Sequence, residues 1–301
     1  LLQAICTKKI ALYDHETFVS DSGSRLIGFG RYAGIVGAYN GFRLFGQKMK
    51  TFDLPKVEHL YDYNAVKEAL QNVVLPENFK TLITGRGKVA LGAKEIIDHL
   101  KINQVSPSEL LQEKQLGPSY AMLDLEDYNK HGEGKDFDRS EFYQFPERYA
   151  GNFDRFTQVI DMFVAGHFYG SGAPIILTRE ALRDPRCRIT VVADVSCDID
   201  GPVACTLRPS TIAEPFYGYD AQTESEVAFN AKDAITVMAV DNLPCELPKD
   251  ASEGFGEMVL EHVIPAFFNK DKDGILQRAK ITENGKLTPR FSYLQDYVDG
   301  K

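Results

Sequence analysis

Through the middle of the chain, short apolar runs alternate with stretches whose apolar positions recur every three or four residues. The runs at 81–84, 102–105, 119–125, 160–165, 189–195 and 234–240 read as strands, most of them apolar enough to be buried on both faces. Between and around them, residues 32–49, 64–72, 88–100 and 178–184 read as helices, the last capped by Thr178. A longer amphipathic stretch over 249–269 is expected to kink or break at Pro265. Near the start, residues 1–9 read as a piece of helix, 10–13 as a strand, and 25–29 as a second strand after the turn at Asp21-Ser-Gly-Ser24.

Strands alternating with helices from about 75 to 241 predict an α/β fold: a doubly wound, Rossmann-type parallel sheet. Residues 31–242 would form this dinucleotide-binding domain, with a polar, aromatic-rich insertion at 126–151 whose Phe137, Phe142, Tyr143, Phe145 and Tyr149 call for burial. The two ends, 1–30 and 243–301, would assemble a second, smaller α/β domain for the substrate. The chain starts without Met inside an amphipathic segment, so an upstream part of that domain is expected to precede it.

The sharpest local signal is Thr81-Leu-Ile-Thr-Gly-Arg-Gly-Lys-Val-Ala-Leu-Gly-Ala93, a strand entering a glycine corner and then a helix. Gly85 permits the tight turn, Gly87 removes a side chain from the path of a pyrophosphate, and Ala90 lets the helix lie close on the strand. Amides at the start of such a helix face the phosphates. The fingerprint also asks for an acid at the end of the following strand, to bind the ribose of NAD. Ser106 stands there instead, which leaves NAD or NADP open and leans toward NADP. Gly34, Gly37 and Gly41 along one side of the 32–49 helix imply close contact with another element or a cofactor, because glycine costs a helix up to about 1 kcal/mol per residue.

Composition narrows the partners. The net charge of −9 and the absence of a dense basic block argue against nucleic acid or an anionic membrane surface and favour small molecules. Five cysteines without a CxxC pair suggest neither disulfides nor zinc and read as reduced thiols of a cytoplasmic protein. Asp271-Lys-Asp-Gly274 lacks the downstream acid of a calcium loop and reads as a turn, so no metal site is expected.

Loops at the carboxyl ends of parallel strands build the sites of such sheets, which draws attention to three places. Asp194 and Asp198 follow the 189–195 strand, and Asp241-Asn242 follows the 234–240 strand. Gly166-His-Phe-Tyr-Gly170 follows the third, where His167 is either a general acid or a packed histidine. Arg25 and Arg31, flanking Phe29, have the fork geometry for a substrate carboxylate or for a surface ion pair.

These segments also carry a resemblance. Leu12-Tyr-Asp-His-Glu16, Arg25-Leu-Ile-Gly-Phe-Gly-Arg-Tyr-Ala-Gly34, the glycine corner, Val192-Ala-Asp-Val-Ser-Cys-Asp198, Ser210-Thr-Ile-Ala-Glu-Pro-Phe216, Met238-Ala-Val-Asp-Asn-Leu-Pro244 and Ala279-Lys-Ile-Thr-Glu-Asn-Gly285 occur in a telling order. Together they resemble the lysine–2-oxoglutarate reductase and saccharopine dehydrogenase family, a branch of the alanine dehydrogenase and transhydrogenase superfamily. The resemblance implies an NAD- or NADP-dependent oxidoreductase of lysine metabolism that joins lysine and 2-oxoglutarate into saccharopine, or the reverse. It places Glu16, Arg25 and Phe29 at the substrate pocket and Asp198 near the reacting carbon. Gly85, Arg86, Gly87, Lys88 and Val89 would cradle the pyrophosphate, with Ala165, Phe168 and Tyr169 lining the cofactor channel. Asp241, Asn242 and Leu243 would close over the nicotinamide, beside Asp194. The family's acid–base Lys and His fall in a segment upstream of this chain. Two rival readings remain, an alanine dehydrogenase-like reductive amination of a small 2-oxo acid and a non-catalytic nucleotide-binding protein.

Overall fold

Residues 80–84 lie inside the largest sheet, between two parallel neighbours, because every side chain of that run can be buried. The computed structural model describes residues 1–112 and 117–301. They divide into two compact units, one of Gly30–Lys249 and one of Leu1–Phe29 with Asp250–Lys301.

In the main sheet of the larger unit the strands are β1 (Lys80–Thr84), β2 (Asn103–Gln104), β3 (Ser119–Leu123), β4 (Met162–Ala165), β5 (Val191–Asp194), β6 (Phe216–Asp220), β7 (Ser225–Val227) and β8 (Ile235–Met238). They form one sheet in the order β7-β6-β8-β5-β4-β1-β3-β2. The six from β8 to β2 run parallel, and β6 and β7 add an antiparallel edge that the apolar pattern did not reveal. Phe216–Asp220 escapes a period-two reading because Gly218 and three tyrosine or phenylalanine rings interrupt it.

The order departs from the 3-2-1-4 arrangement of the dinucleotide fold at one point. The strand beside β1 is β3, and β2 lies outside it. Burial explains the exchange. Asn103 and Gln104 are both exposed and suit an edge, whereas Ser-Tyr-Ala-Met-Leu of β3 is buried throughout and suits a place between neighbours.

Two helices pack together on one face, α1 (Gly30–Met49) and α2 (Lys88–His99). The glycines of α1 serve contacts with protein. A Cβ on Gly34 would lie 1.9 Å from the Val89 carbonyl oxygen, one on Gly37 2.4 Å from the Val195 side chain, and one on Gly41 3.0 Å from that of Ala193. The helix therefore rests on α2 and on β5 at backbone distance. Phe153, Phe156, Phe163, Tyr217 and Leu182 build the core of the opposite face. Thr178 caps the Arg179–Arg183 helix through the Ala181 amide, as its position predicts.

The insertion forms a two-stranded ribbon, Asn129–His131 against Tyr149–Gly151, with a helix at Arg139–Gln144. Phe142 and Tyr149 are buried, but Tyr143 and Phe145 are exposed. The Arg148 guanidinium covers the Phe145 ring at 4.2 Å, so a cation–π contact replaces the expected burial.

In the smaller unit, Leu12–Tyr13 pairs with Lys280–Glu283, which turns through Asn284-Gly285 to Lys286–Leu287. Both turn residues have positive φ, the requirement of a tight hairpin. This hairpin takes the place expected for residues 25–29, which form no strand and contribute one bridge, Val19 with Arg25. Ile27 instead enters a small core with Phe18, Val263, Ala266, Leu276 and Ala279. The break in the long helix falls just before Pro265: Pro248–Met258 is α-helical, Val259–Val263 widens to a π-turn, and Ile264–Phe268 resumes. The widened turn accommodates a ring that clashes with the carbonyl four residues back. Asp271 accepts the Leu276 and Gln277 amides and so anchors the next helix, Ile275–Ala279.

Candidate active site

Register aligns the carboxyl ends of four strands. Leu123 pairs with Thr84, Thr84 with Ala165, and Ala165 with Asp194. The loops that follow, Asp124, Gly85–Gly87, Gly166–Tyr169 and Val195–Asp198, all leave one edge of the sheet. Ala165 itself is buried, so only the loop beyond it is available to a ligand.

Gly85 has φ +94°, a conformation that disfavours any side chain, and a Cβ there would lie 2.8 Å from the Gly166 carbonyl oxygen. Above Gly87, by contrast, a Cβ would meet nothing within 4 Å. Gly166 lies 3.2 Å from the Ala90 Cα by the same measure, so the small third position does bring helix and strand together. The corner thus has the tight turn, the open approach and the close helix that a pyrophosphate seat requires. Amides of the first turn of α2, from Lys88 and Val89 onward, lack intrahelical acceptors and have the chemistry to hold it. Arg86 is exposed beside them.

His167 follows β4 and is buried. Its Nδ1 lies 2.6 Å from Thr84 Oγ1, and its Nε2 has no partner among the described residues. Burial lowers its pKa to about 4, so the ring is neutral near pH 7 and is no general acid there. Phe168 is 85% exposed, and Tyr169 donates its hydroxyl to the Ala173 carbonyl at 2.8 Å. Burial, then the neighbouring Asp198, raises the Tyr169 pKa, which places these two groups in one electrostatic neighbourhood.

The two carboxylates after β5 divide their roles. Asp194 is completely buried. Its Oδ1 accepts the Ser196 amide at 3.1 Å, the Ser196 hydroxyl at 2.6 Å and the Cys197 amide at 3.2 Å, and its Oδ2 accepts Thr206 Oγ1 at 2.6 Å. Those contacts make it the anchor of the loop and not a ligand-facing group. Asp198, carried on that loop, is exposed, and partial burial raises its pKa. Cys197 and Asp200 on either side of it both have positive φ, a conformation kept only when the surroundings enforce it. Cys197 Sγ donates to the Ala239 carbonyl, tying this loop to the one after β8, and burial with Asp194, Asp241 and Asp198 nearby pushes its thiol up to about 12. That shift keeps the group a protonated thiol near neutral pH.

Asp241 and Asn242 are exposed, whereas Leu243 is buried against α1, 3.3 Å from where a Cβ on Gly37 would stand. Leu243 is therefore a packing residue. Ser106 is also not beside the glycine corner. It ends the outer strand β2 and caps the Pro107–Leu110 helix, exchanging hydrogen bonds with Glu109. The residue that strand order places next to Gly85 is Asp124, overlooked because the fingerprint counts strands in sequence order. In the smaller unit, Arg25 Nη2 meets Glu16 Oε2 at 3.2 Å, and Phe29 stacks on Phe255 at 4.6 Å with His15 at that ring's edge. These three expected substrate residues thus belong to one small surface of that unit.

A buried carboxyl that the sequence did not mark lies just past Leu243. Glu246 accepts the Asn40 amide at 2.9 Å, and burial raises its pKa to about 7, against the pull of Asn40, Arg43 and Lys56 and with Glu58 adding to it. Between pH 4.5 and 7 the folded chain keeps a proton that the unfolded chain has lost, so this group costs stability as pH rises through that window. Glu246→Gln resembles the protonated form. It should be more stable than the parent above pH 7, by about 3 kcal/mol, and equal to it below pH 4.5. Urea unfolding at pH 5 and pH 8 reads the effect; the same pH dependence in both proteins would show that Glu246 does not titrate there.

The parallel sheet, its glycine corner and the helix packed on it define a Rossmann-type α/β protein. A solved structure of L-alanine dehydrogenase shares this fold, with TM-score 0.58 and 16% identity over 99% of this chain and 73% of that one. No protein-family model matches the chain. Curated relatives carry the names of the family that the sequence resembles. The chain is 27% identical over 335 aligned positions to alpha-aminoadipic semialdehyde synthase of Arabidopsis thaliana and 25% identical over 343 to the mitochondrial protein of that name from Mus musculus. Each comparison takes in 98% of this chain but only 31% and 37% of the relative, so the chain spans about a third of their length. It is also 25% identical over 263 positions to the lysine-forming, NAD(+) saccharopine dehydrogenase of Neurospora crassa, covering 84% of this chain and 60% of that one. Among the described residues no helix is long and apolar enough to cross a membrane.

Proposed function

We propose that this chain is the dinucleotide-binding part, with some of the substrate-binding part, of an NAD(P)-dependent oxidoreductase that acts on the C–N bond of an amino acid. Its reaction would be the reversible joining of lysine and 2-oxoglutarate into saccharopine. The observation that carries the reading is the level row of strand ends, where a glycine corner built for a pyrophosphate stands in line with the loop that presents Asp198. Similarity over 84% of the chain to an enzyme named as a lysine-forming, NAD(+) saccharopine dehydrogenase supports it.

A bound nicotinamide would supply or accept the hydride. The chain's own residues would do the rest. Gly85 to Val89 would seat the pyrophosphate, and Asp194 would hold the Asp198 loop so that its carboxyl faces the reacting carbon and exchanges a proton with the amine. Phe168, Tyr169, Asp241 and Asn242 would border the nicotinamide. Glu16 and Arg25 carry the charges that suit an amino acid's ammonium and carboxylate groups.

Titration with NADH and with NADPH, read by nucleotide fluorescence, should give saturable binding of at least one. Binding of neither would end the dinucleotide reading. In the full-length protein, lysine with 2-oxoglutarate should drive NAD(P)H oxidation. Oxidation with pyruvate and ammonia instead would replace the proposed substrates by those of an alanine dehydrogenase-like enzyme, and activity with neither pair would favour a nucleotide-binding protein without catalysis.

A further inference from the structure

The exchange of β2 and β3 moves the position from which such a fold reads the ribose. In a dinucleotide unit the group that meets the adenosine ribose stands at the end of the strand flanking the glycine-corner strand, on the side away from the switch point. Here the order reverses between β1 and β4, so the flanking strand on the other side is β3. Leu123 pairs with Thr84, and the Gly85 amide donates to the Leu123 carbonyl at 2.9 Å, which sets Asp124 directly alongside the glycine corner. Ser106, at the end of β2, is one strand further out.

We propose that Asp124 selects the cofactor, accepting hydrogen bonds from the adenosine ribose diol and so favouring NADH over NADPH. This rests on the dinucleotide reading above and names the form of the cofactor that the site takes. The carboxylate is held in place by three contacts: Oδ1 accepts the Leu125 amide at 2.8 Å and faces Arg139 Nη2 at 2.8 Å, and the side chain also accepts the Asp127 amide in a capping box. A carboxylate has about four acceptor positions, so these contacts leave capacity for a hydroxyl. A 2′-phosphate has no proton to donate to it and brings like charge against it. Arg139 does not offset that repulsion freely, because its guanidinium already faces Asp124 and, at 3.8 Å, Glu126. Arg86 reaches back along the same strand end, with Nη2 3.4 Å from the Met122 carbonyl. Without Asp124 the two arginines would form a cationic pair suited to the phosphate.

Three variants test this by equilibrium titration with NADH and NADPH. The unaltered chain should bind NADH more tightly than NADPH by roughly tenfold or more. Asp124→Ser keeps a helix-capping oxygen and removes the charge, and should move the ratio of the two dissociation constants toward NADPH by roughly tenfold or more. Arg139→Gln leaves the cap untouched and should widen the preference for NADH, so the idea stays testable should the first variant fold poorly. Ser106→Ala should leave the ratio where it was. Equal or inverted binding by the unaltered chain, a ratio unmoved by both Asp124→Ser and Arg139→Gln, or a ratio moved by Ser106→Ala would each overturn the assignment. Binding of neither nucleotide brings down the dinucleotide reading as well, and is told apart by that result.

Discussion

Replacing Asp198 by Asn is expected to lower turnover at least about a hundredfold while leaving the dissociation constant for the dinucleotide within about twofold. Asparagine keeps the shape of the side chain and loses its capacity to take and return a proton. The split between rate and affinity follows from position. The proposed pyrophosphate seat is the corner after β1, whereas Asp198 stands on the loop after β5, two strands away. The carboxyl's pKa is raised by partial burial, which shifts it in the direction that makes a carboxyl a better proton donor near neutrality. Steady-state rates with lysine and 2-oxoglutarate, set beside a cofactor titration, give both quantities. Unchanged turnover removes Asp198 from the reaction, and an equal fall in rate and affinity makes it a binding residue.

Gly34→Ala should be the most damaging of the single-methyl changes. The added carbon would stand 1.9 Å from the Val89 carbonyl oxygen and 2.7 Å from the Ala93 amide nitrogen, both backbone atoms that yield only if α1 and α2 separate. Gly92, from the other side of the crossing, meets the Arg31 carbonyl oxygen at 2.0 Å. Overpacking of this kind costs about 3 kcal/mol at the upper end of its usual range, or roughly 6–12 °C in Tm for a unit of this size. Because both substitutions force the same separation, the double variant should lose less than the sum of the single losses. Gly256→Ala is the control: its Cβ would meet nothing within 4 Å, and helix propensity should make it neutral or stabilising by up to about 1 kcal/mol. Thermal unfolding of the parent, Gly34→Ala, Gly92→Ala, the double variant and Gly256→Ala decides the matter, and a Gly34→Ala chain that melts with the parent would refute the close crossing. The site has a stake in this packing, since α2 begins at the glycine corner and a displaced helix carries the Lys88 and Val89 amides with it.

Most of the parallel sheet was legible in the chain. Residues 81–84, 119–125, 160–165, 189–195 and 234–240 all contain strands, the helix expected from residue 88 begins there, and the next begins at its Thr178 cap. The glycines of α1 mark a close approach, and of the two partners they imply, another element or a cofactor, the contacts are with α2 and the sheet. Residues 25–29 failed for a reason outside themselves: the strand they would join pairs with Lys280–Glu283, from the far end of the chain. The role of Asp194 was hidden in the same way, because Thr206, which bonds its Oδ2, comes from a separate segment.

Local sequence set most of the strands and helices of the parallel sheet, the places where the chain turns, and the tight strand-to-helix corner at Gly85. Those features depend on periodicity, capping and glycine's freedom at positive φ, all set within a few residues. Tertiary structure alone decided which strand lies beside which, and with it which side chains share the edge of the sheet. Polar Asn103 and Gln104 are driven to the rim and the apolar run of β3 is drawn beside β1, because the interior admits only the strand that can be buried on both faces. That competition for burial puts Asp124, and not Ser106, next to the glycine corner.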